Sequence, residues 1–131
     1  MRALWSEQRK YEIWLEIETL ACEAMARIGV IPAADARVIR EKAKFSVPEI
    51  LEIEKRTNHD VIAFLENVAA SVGPAARWMH QGLTSSDVLD TTLAVQMSAA
   101  CDLLVKGVDG GRAAAAEQAR AHKITPMMGR T

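Results

Sequence analysis

From Thr84 to His122 the sequence reads as one helix of more than 30 residues, against a mean of about 11 in globular proteins. Thr84-Ser85-Ser86-Asp87 opens it with a hydroxyl and, three residues on, a carboxylate, a helix-start pattern. Leu89, Leu93, Met97, Ala100, Leu104 and Val108 then recur at steps of three and four on one face. Gly107, Gly110 and Gly111 interrupt the run, each costing roughly 1 kcal/mol against alanine inside a helix. The pattern therefore predicts either a bend there or a helix held straight by neighbours. Such a helix presents more apolar surface than short helices beside it can cover. The remainder must face other helices, from this chain or from other copies, and a helix-bundle oligomer is expected.

The rest of the chain is also helical in pattern. Trp14, Ile17, Ala21, Ala24 and Ile28 share a face, widened by Ile13 and Leu20; Ser6 suits the amino-terminal cap and Gly29 the position just past the end. A first helix is expected from Glu7 to Ile28. Pro32 suits the first turn of a second, running to Lys44, and Pro48 that of a third, running to Lys55. Asn58-His59-Asp60 opens a fourth, whose apolar side is Val61, Phe64, Leu65, Val68 and Val72 and which Gly73-Pro74 ends. No strand pattern is present, so the fold class is all-α.

The chain of 131 residues suits one domain with a real core. A net charge of -1 argues against a general nucleic-acid surface. No apolar stretch is read as approaching the roughly 20 residues that span a membrane, and the amino terminus lacks a secretory core. Cys22 and Cys101 stand far apart in helical patterns, outside any metal-ligand spacing. They read as buried thiols of a reduced, cytoplasmic protein. No metal and no cofactor is expected.

Two helix starts carry site-like residues: Asn58-His59-Asp60 and Thr84-Ser85-Ser86-Asp87. Helix amino termini present unpaired N–H groups and about half a positive charge, which favour a phosphate or carboxylate. Each also has a plain structural reading. Thr84 and Asp87 match a capping box, and Asn58 or Asp60 suits a simple cap. His59 alone is commonly a surface histidine, and His80, after Trp78 and Met79, is a weak signal by itself. His122 at a helix end reads as structural, the tryptophans and methionines as core or interface, and Glu49–Arg56 as a solvated face.

Several segments together resemble the adenylosuccinate lyases of the fumarase/aspartase superfamily. Trp14-Leu15-Glu16-Ile17-Glu18 and Ala21-Cys22-Glu23-Ala24 are similar to the family's first long helix, and Gly29-Val30-Ile31-Pro32 to its turn. Asn58-His59-Asp60-Val61 resembles its His-Asp-Val segment, and His80 to Thr91 its first signature region. Met127-Met128-Gly129-Arg130-Thr131 resembles the start of its second.

The resemblance implies a helical amino-terminal domain plus the start of the superfamily's helix bundle. Residues 1–83 would form a cap-like domain and 84–131 the first long bundle helix with a following extended segment. It implies cleavage of adenylosuccinate to AMP and fumarate, and of SAICAR to AICAR and fumarate, by β-elimination, in a cytoplasmic homotetramer whose active sites are shared between subunits. Asn58, His59, Asp60, Thr84 and Ser85 would bind the nucleotide substrate, with Ser86, Asp87, Arg130 and Thr131 lining the site. No catalytic residue is assigned outright; His80 is the one candidate. In the family the general acid is a histidine following the motif that ends here at Thr131, and a mobile serine loop further on supplies the base. An arginine–tyrosine pair that holds the nucleotide near the family's amino terminus has no counterpart here. The chain alone is thus expected to be an inactive fragment without the central helix bundle and carboxyl-terminal domain, and to self-associate, as a dimer. The rivals are another superfamily enzyme, of the argininosuccinate lyase or muconate cycloisomerase type, and a non-enzymatic helical assembly module.

Overall fold

The computed structural model describes residues 1–129; Arg130 and Thr131, both assigned above to the site lining, lie outside them. A 3-10 turn at Arg2–Trp5 precedes α1 (Glu7–Arg27), α2 (Ala33–Lys42), α3 (Val47–Thr57) and α4 (Asp60–Val72). A 3-10 segment, Gly73–Trp78, leads into the loop before α5 (Ser85–Ala121). Among the described residues there is no strand, in keeping with the all-α reading.

Local chemistry explains the boundaries. Ser6 caps α1, its hydroxyl accepting the Arg9 N–H, and Gly29 turns the chain at a φ of 76° that a side chain would resist. Pro32 stands one position earlier than expected, as the cap of α2, its carbonyl accepting the N–H groups of Asp35 and Ala36. α2 stops at Lys42 rather than Lys44 because tertiary bonds replace helical ones: the Lys44 N–H donates to Ser71 Oγ at 3.2 Å, and Ser71 donates back to the Lys44 carbonyl. α3 starts one residue before Pro48 and runs two past Lys55, to an Asn58 cap in the left-handed region.

α1 packs along α2, α3 along α4, and α5 lies against α1 and the amino-terminal turn. The core centres on Tyr11, Trp14, Ile39, Ile50, Phe64 and Val68, all without solvent exposure. The buried stripe of α1 runs Tyr11, Trp14, Glu18, Cys22, rotated from the expected one: Ala24, Ile28 and Leu20 are exposed. Trp5 is half exposed, whereas Met79 is buried.

α5 continues through Gly107, Gly110 and Gly111, although no neighbour among the described residues covers that stretch. It meets the rest of the molecule through Val88, Thr92, Gln96 and Ala100, with Gln96 Nε2 donating to the Leu4 carbonyl at 2.6 Å. The expected apolar face is otherwise open: Leu93, Met97, Leu104 and Val108 are 48, 53, 58 and 70% exposed. Two expectations need correction. Cys101 is exposed on this helix, and only Cys22 is buried. α5 also contains an 18-residue window of mean hydropathy 1.4, so by length and composition one helix is apolar enough to cross a membrane. Alanine, cysteine and methionine between the leucines and valines raise that mean, while the interleaved Thr92 and Gln96 form the stripe buried against α1 and the amino-terminal turn.

Candidate functional site

The start of α5 is a complete capping box. Thr84 Oγ1 accepts the Asp87 N–H, and Asp87 Oδ2 accepts the Thr84 N–H at 2.7 Å and its hydroxyl at 3.1 Å. The Thr84 N–H, then its hydroxyl, and the nearby His80 ring hold the Asp87 carboxyl below the usual carboxylate range. The structural reading of Thr84 and Asp87 is therefore met in full. Helix geometry leaves the N–H groups of Ser85 and Ser86 without intrahelical partners, and their hydroxyls stand beside them.

His80 joins this cluster through a residue that the sequence did not single out. Glu18, fully buried on α1, accepts the His80 backbone N–H at 2.7 Å through Oε2 and lies 2.6 Å from His80 Nδ1 through Oε1. His80 itself sits at a φ of 60°, a left-handed conformation that costs a non-glycine residue energy. The available signal for Glu18 was a carboxylate on a helix face otherwise made of Tyr11, Trp14 and Cys22.

Asn58, His59 and Asp60 form the junction of α3 and α4. His59, rather than Asn58 or Asp60, is the cap of α4: its Nδ1 accepts the Ile62 N–H at 3.4 Å. Asp60 Oδ1 accepts the Val61 N–H at 2.7 Å and lies 3.5 Å from His59 Nδ1. Asn58 adopts the left-handed cap of α3, its N–H donating to Glu54, a position that asparagine tolerates well. The two first-turn amides of α4 after Asp60 are thus taken by the chain's own side chains, and the ring edge of His59 carrying Nε2 is left for other partners.

The structure brings His80, Thr84 and Asp87 together with Glu18 and keeps Asn58, His59 and Asp60 as a second cluster with its own bonds. One helix start offers serine hydroxyls and amides next to the Asp87 cap, on whose charge the anchored His80 acts. The other offers an exposed imidazole. Both can donate to an anion, and the capping carboxylates Asp60 and Asp87 limit how much of the helix-end charge remains for it.

The model of the lyase family matches residues 1–131. The adenylosuccinate lyase of Bacillus subtilis is 48% identical over 131 residues, covering 100% of this chain and 30% of that relative. The adenylosuccinate lyase of Streptococcus mutans is 47% identical over the same span and the same shares. The chain therefore spans 30% of the length of these curated relatives. Among solved structures it is similar to a fumarate lyase from Mesorhizobium, with a TM-score of 0.87 and 29% identity over 99% of this chain and 31% of that one. It is also similar to the β-carboxy-cis,cis-muconate cycloisomerase of Acinetobacter calcoaceticus, with a TM-score of 0.86 and 29% identity over 100% of this chain and 33% of that one.

Proposed function

Because the chain belongs to the lyase family, we propose that it forms part of an enzyme that cleaves adenylosuccinate to AMP and fumarate, and SAICAR to AICAR and fumarate. The observation that carries this reading is the start of α5, where the Thr84–Asp87 cap leads into Ser85 and Ser86 and where His80, which Glu18 holds in place, stands close enough to act on the Asp87 charge. In a β-elimination a base removes a proton next to a carboxylate, the carbon–nitrogen bond breaks, and an acid protonates the departing nitrogen. Charge builds on the substrate's carboxylates, where fixed donors lower the barrier. The hydroxyls and amides of Ser85 and Ser86 are such donors, with Thr84 and Asp87 fixing the turn that presents them and His80 beside it. Asn58, His59 and Asp60 would contact the nucleotide side. Arg130 and Thr131 belong to the proposed lining on the resemblance alone.

The base and the acid are expected from outside residues 1–131, so this chain alone should not turn over substrate. The assembly proposed, on the resemblance, is a cytoplasmic homotetramer with sites shared between copies; the open face of α5 supports association between copies. A second reading, a cycloisomerase acting on a muconate, draws on the similarity to the Acinetobacter structure. The higher identity to adenylosuccinate lyases places it second.

The test is a chimera in which this chain replaces the matching 131 residues of the Bacillus subtilis relative. Fumarate release from adenylosuccinate is expected from the chimera, with at least a tenfold loss on Ser85→Ala, and none from the chain alone. A folded chimera that ignores adenylosuccinate but converts a carboxymuconate would replace the first reading with the second. Sustained turnover by the chain alone would refute its inactivity.

A further inference from the structure

We propose that Glu18 is a positioning residue, which fixes the tautomer and direction of His80 so that Nε2 alone faces the ligand. The inference rests on the reading of His80 as part of the site. Its own basis is the geometry around Glu18.

Glu18 sits on the buried stripe of α1 with no solvent exposure. A carboxylate in such a place is costly unless its oxygens are bonded. Both bonds go to one residue, 62 positions away: Oε2 to the His80 N–H and Oε1 to His80 Nδ1. A carboxylate only accepts, so the proton of this contact lies on Nδ1. That leaves Nε2 as the nitrogen turned away from α1. It has no partner among the described residues and is not a buried orphan. In the neutral ring Nε2 is an acceptor, and in the protonated ring a donor. Glu18 removes Nδ1 from either role.

The backbone supports the same conclusion. His80 is held at a φ of 60°, and the bond from its N–H to Glu18 anchors the residue in that conformation. Ring and backbone are thus clamped by one side chain, and the clamp precedes the Thr84 cap by four residues. A carboxylate serving stability alone has no need to select a tautomer. Asp35 illustrates this, accepting at 2.7 Å from the indole N–H of Trp78, which has only one form. His59 is wired the opposite way. Its Nδ1 accepts from the Ile62 N–H, so its neutral ring exposes a donating Nε2–H. The two histidines therefore present different groups when neutral, an accepting Nε2 on His80 and a donating Nε2–H on His59, and Glu18 sets the first of these.

The chain labelled with 15N-histidine allows the ring nitrogens to be read by long-range proton–nitrogen spectra, with His80→Ala giving the assignment. In wild type the His80 ring is expected to carry its proton on Nδ1, and Glu18→Gln is expected to abolish that signature. On titration with adenylosuccinate, His80→Ala and Glu18→Gln should each weaken binding by on the order of tenfold, the low end of what partners behind metal-bound histidines are worth. A wild-type His80 protonated only on Nε2 would overturn the inference even if Glu18→Gln failed to fold. If His80→Ala weakened binding but folded Glu18→Gln kept both the ring signature and the affinity, Glu18 would lose its role while the site reading survived. If His80→Ala left binding unchanged, the site reading would fall, and the inference with it.

Discussion

The rings of Tyr11 and Phe64 lie parallel, 6° apart in plane and 5.7 Å between centroids, so that a single stack joins α1 to α4. Trp14 meets both edge-on, at 5.0 and 5.5 Å. Such pairs contribute about 0.5–1.5 kcal/mol beyond the area they bury, and all three rings are fully buried. Phe64→Ala removes the central partner and leaves a cavity, so it should destabilise the chain by about 3–5 kcal/mol. Urea unfolding followed by far-ultraviolet circular dichroism measures this. A change below about 1 kcal/mol would mean that the stack does not organise the core.

The helices and their order were legible because their signals are local. Ser6, Gly29, Pro48 and Gly73 act within one turn of their own position. The end of α2 was not legible, because Ser71, distant in sequence, takes over the Lys44 backbone groups. The buried side of α1 was missed for a related reason: a stripe drawn through apolar residues alone passes over Glu18, whose burial depends on a loop 62 residues away.

The two cysteines should differ sharply toward an alkylating reagent. Burial, with the Glu18 charge adding to it, pushes the Cys22 thiol up to about 11, and its Sγ donates to the Trp78 carbonyl at 3.6 Å. The thiolate is the reactive form, so at pH 8 Cys22 should resist iodoacetamide until the chain is unfolded. Cys101, exposed on α5, should be modified first. Peptide mass spectrometry at increasing times separates the two. Equal labelling in the native chain would contradict the packing of α1 against the segment that ends at Trp78.

Thr84 and Asp87 make the start of α5 sensitive to acid. The Asp87 carboxyl is held below its ordinary value of 3.8, first by the Thr84 N–H. A group depressed on folding stabilises the folded state above its unfolded value, and that contribution disappears as pH falls through the folded one. Wild type should therefore lose thermal stability below about pH 4. Glu12, bonded by Gln8 and Arg9, and Glu23, bonded by Arg40, are depressed too and act in the same window. The difference between wild type and Asp87→Asn isolates the cap: the variant should be less stable at pH 6 and converge on wild type near pH 2. Thr84→Ala should cost about 1 kcal/mol at neutral pH. A constant gap between wild type and Asp87→Asn across the acid range would refute the linkage.

The candidate site was legible only as far as its helix starts. Thr84 with Asp87 announces a cap whether or not a ligand is bound, and the structure shows that cap complete. His59 takes the capping role that Asn58 or Asp60 was expected to fill, because the chain places Asn58 in the left-handed turn instead. What separates a cap from a site is which groups remain free once the cap is made, and that requires the tertiary positions of His80 and Glu18.

The open face of α5 yields the last prediction. Full burial of a leucine or valine side chain is worth roughly 1.5–3 kcal/mol, and Leu104, Val105 and Val108 are 58, 62 and 70% exposed. Their burial between copies offsets the loss of freedom on association. Sedimentation velocity should therefore show larger species as concentration rises, and Leu104→Glu with Val108→Glu should shift the chain to monomer without altering the α1–α4 core. The same contact should be visible in amide exchange. Gly107, Gly110 and Gly111 make the second half of α5 the weakest stretch of helix, so a lone chain should exchange rapidly from residue 107 onward. Association should slow that exchange, and the double variant should restore it. Protected amides beyond Gly107 in a chain that stays monomeric at every concentration would mean that α5 is held by something other than a second copy.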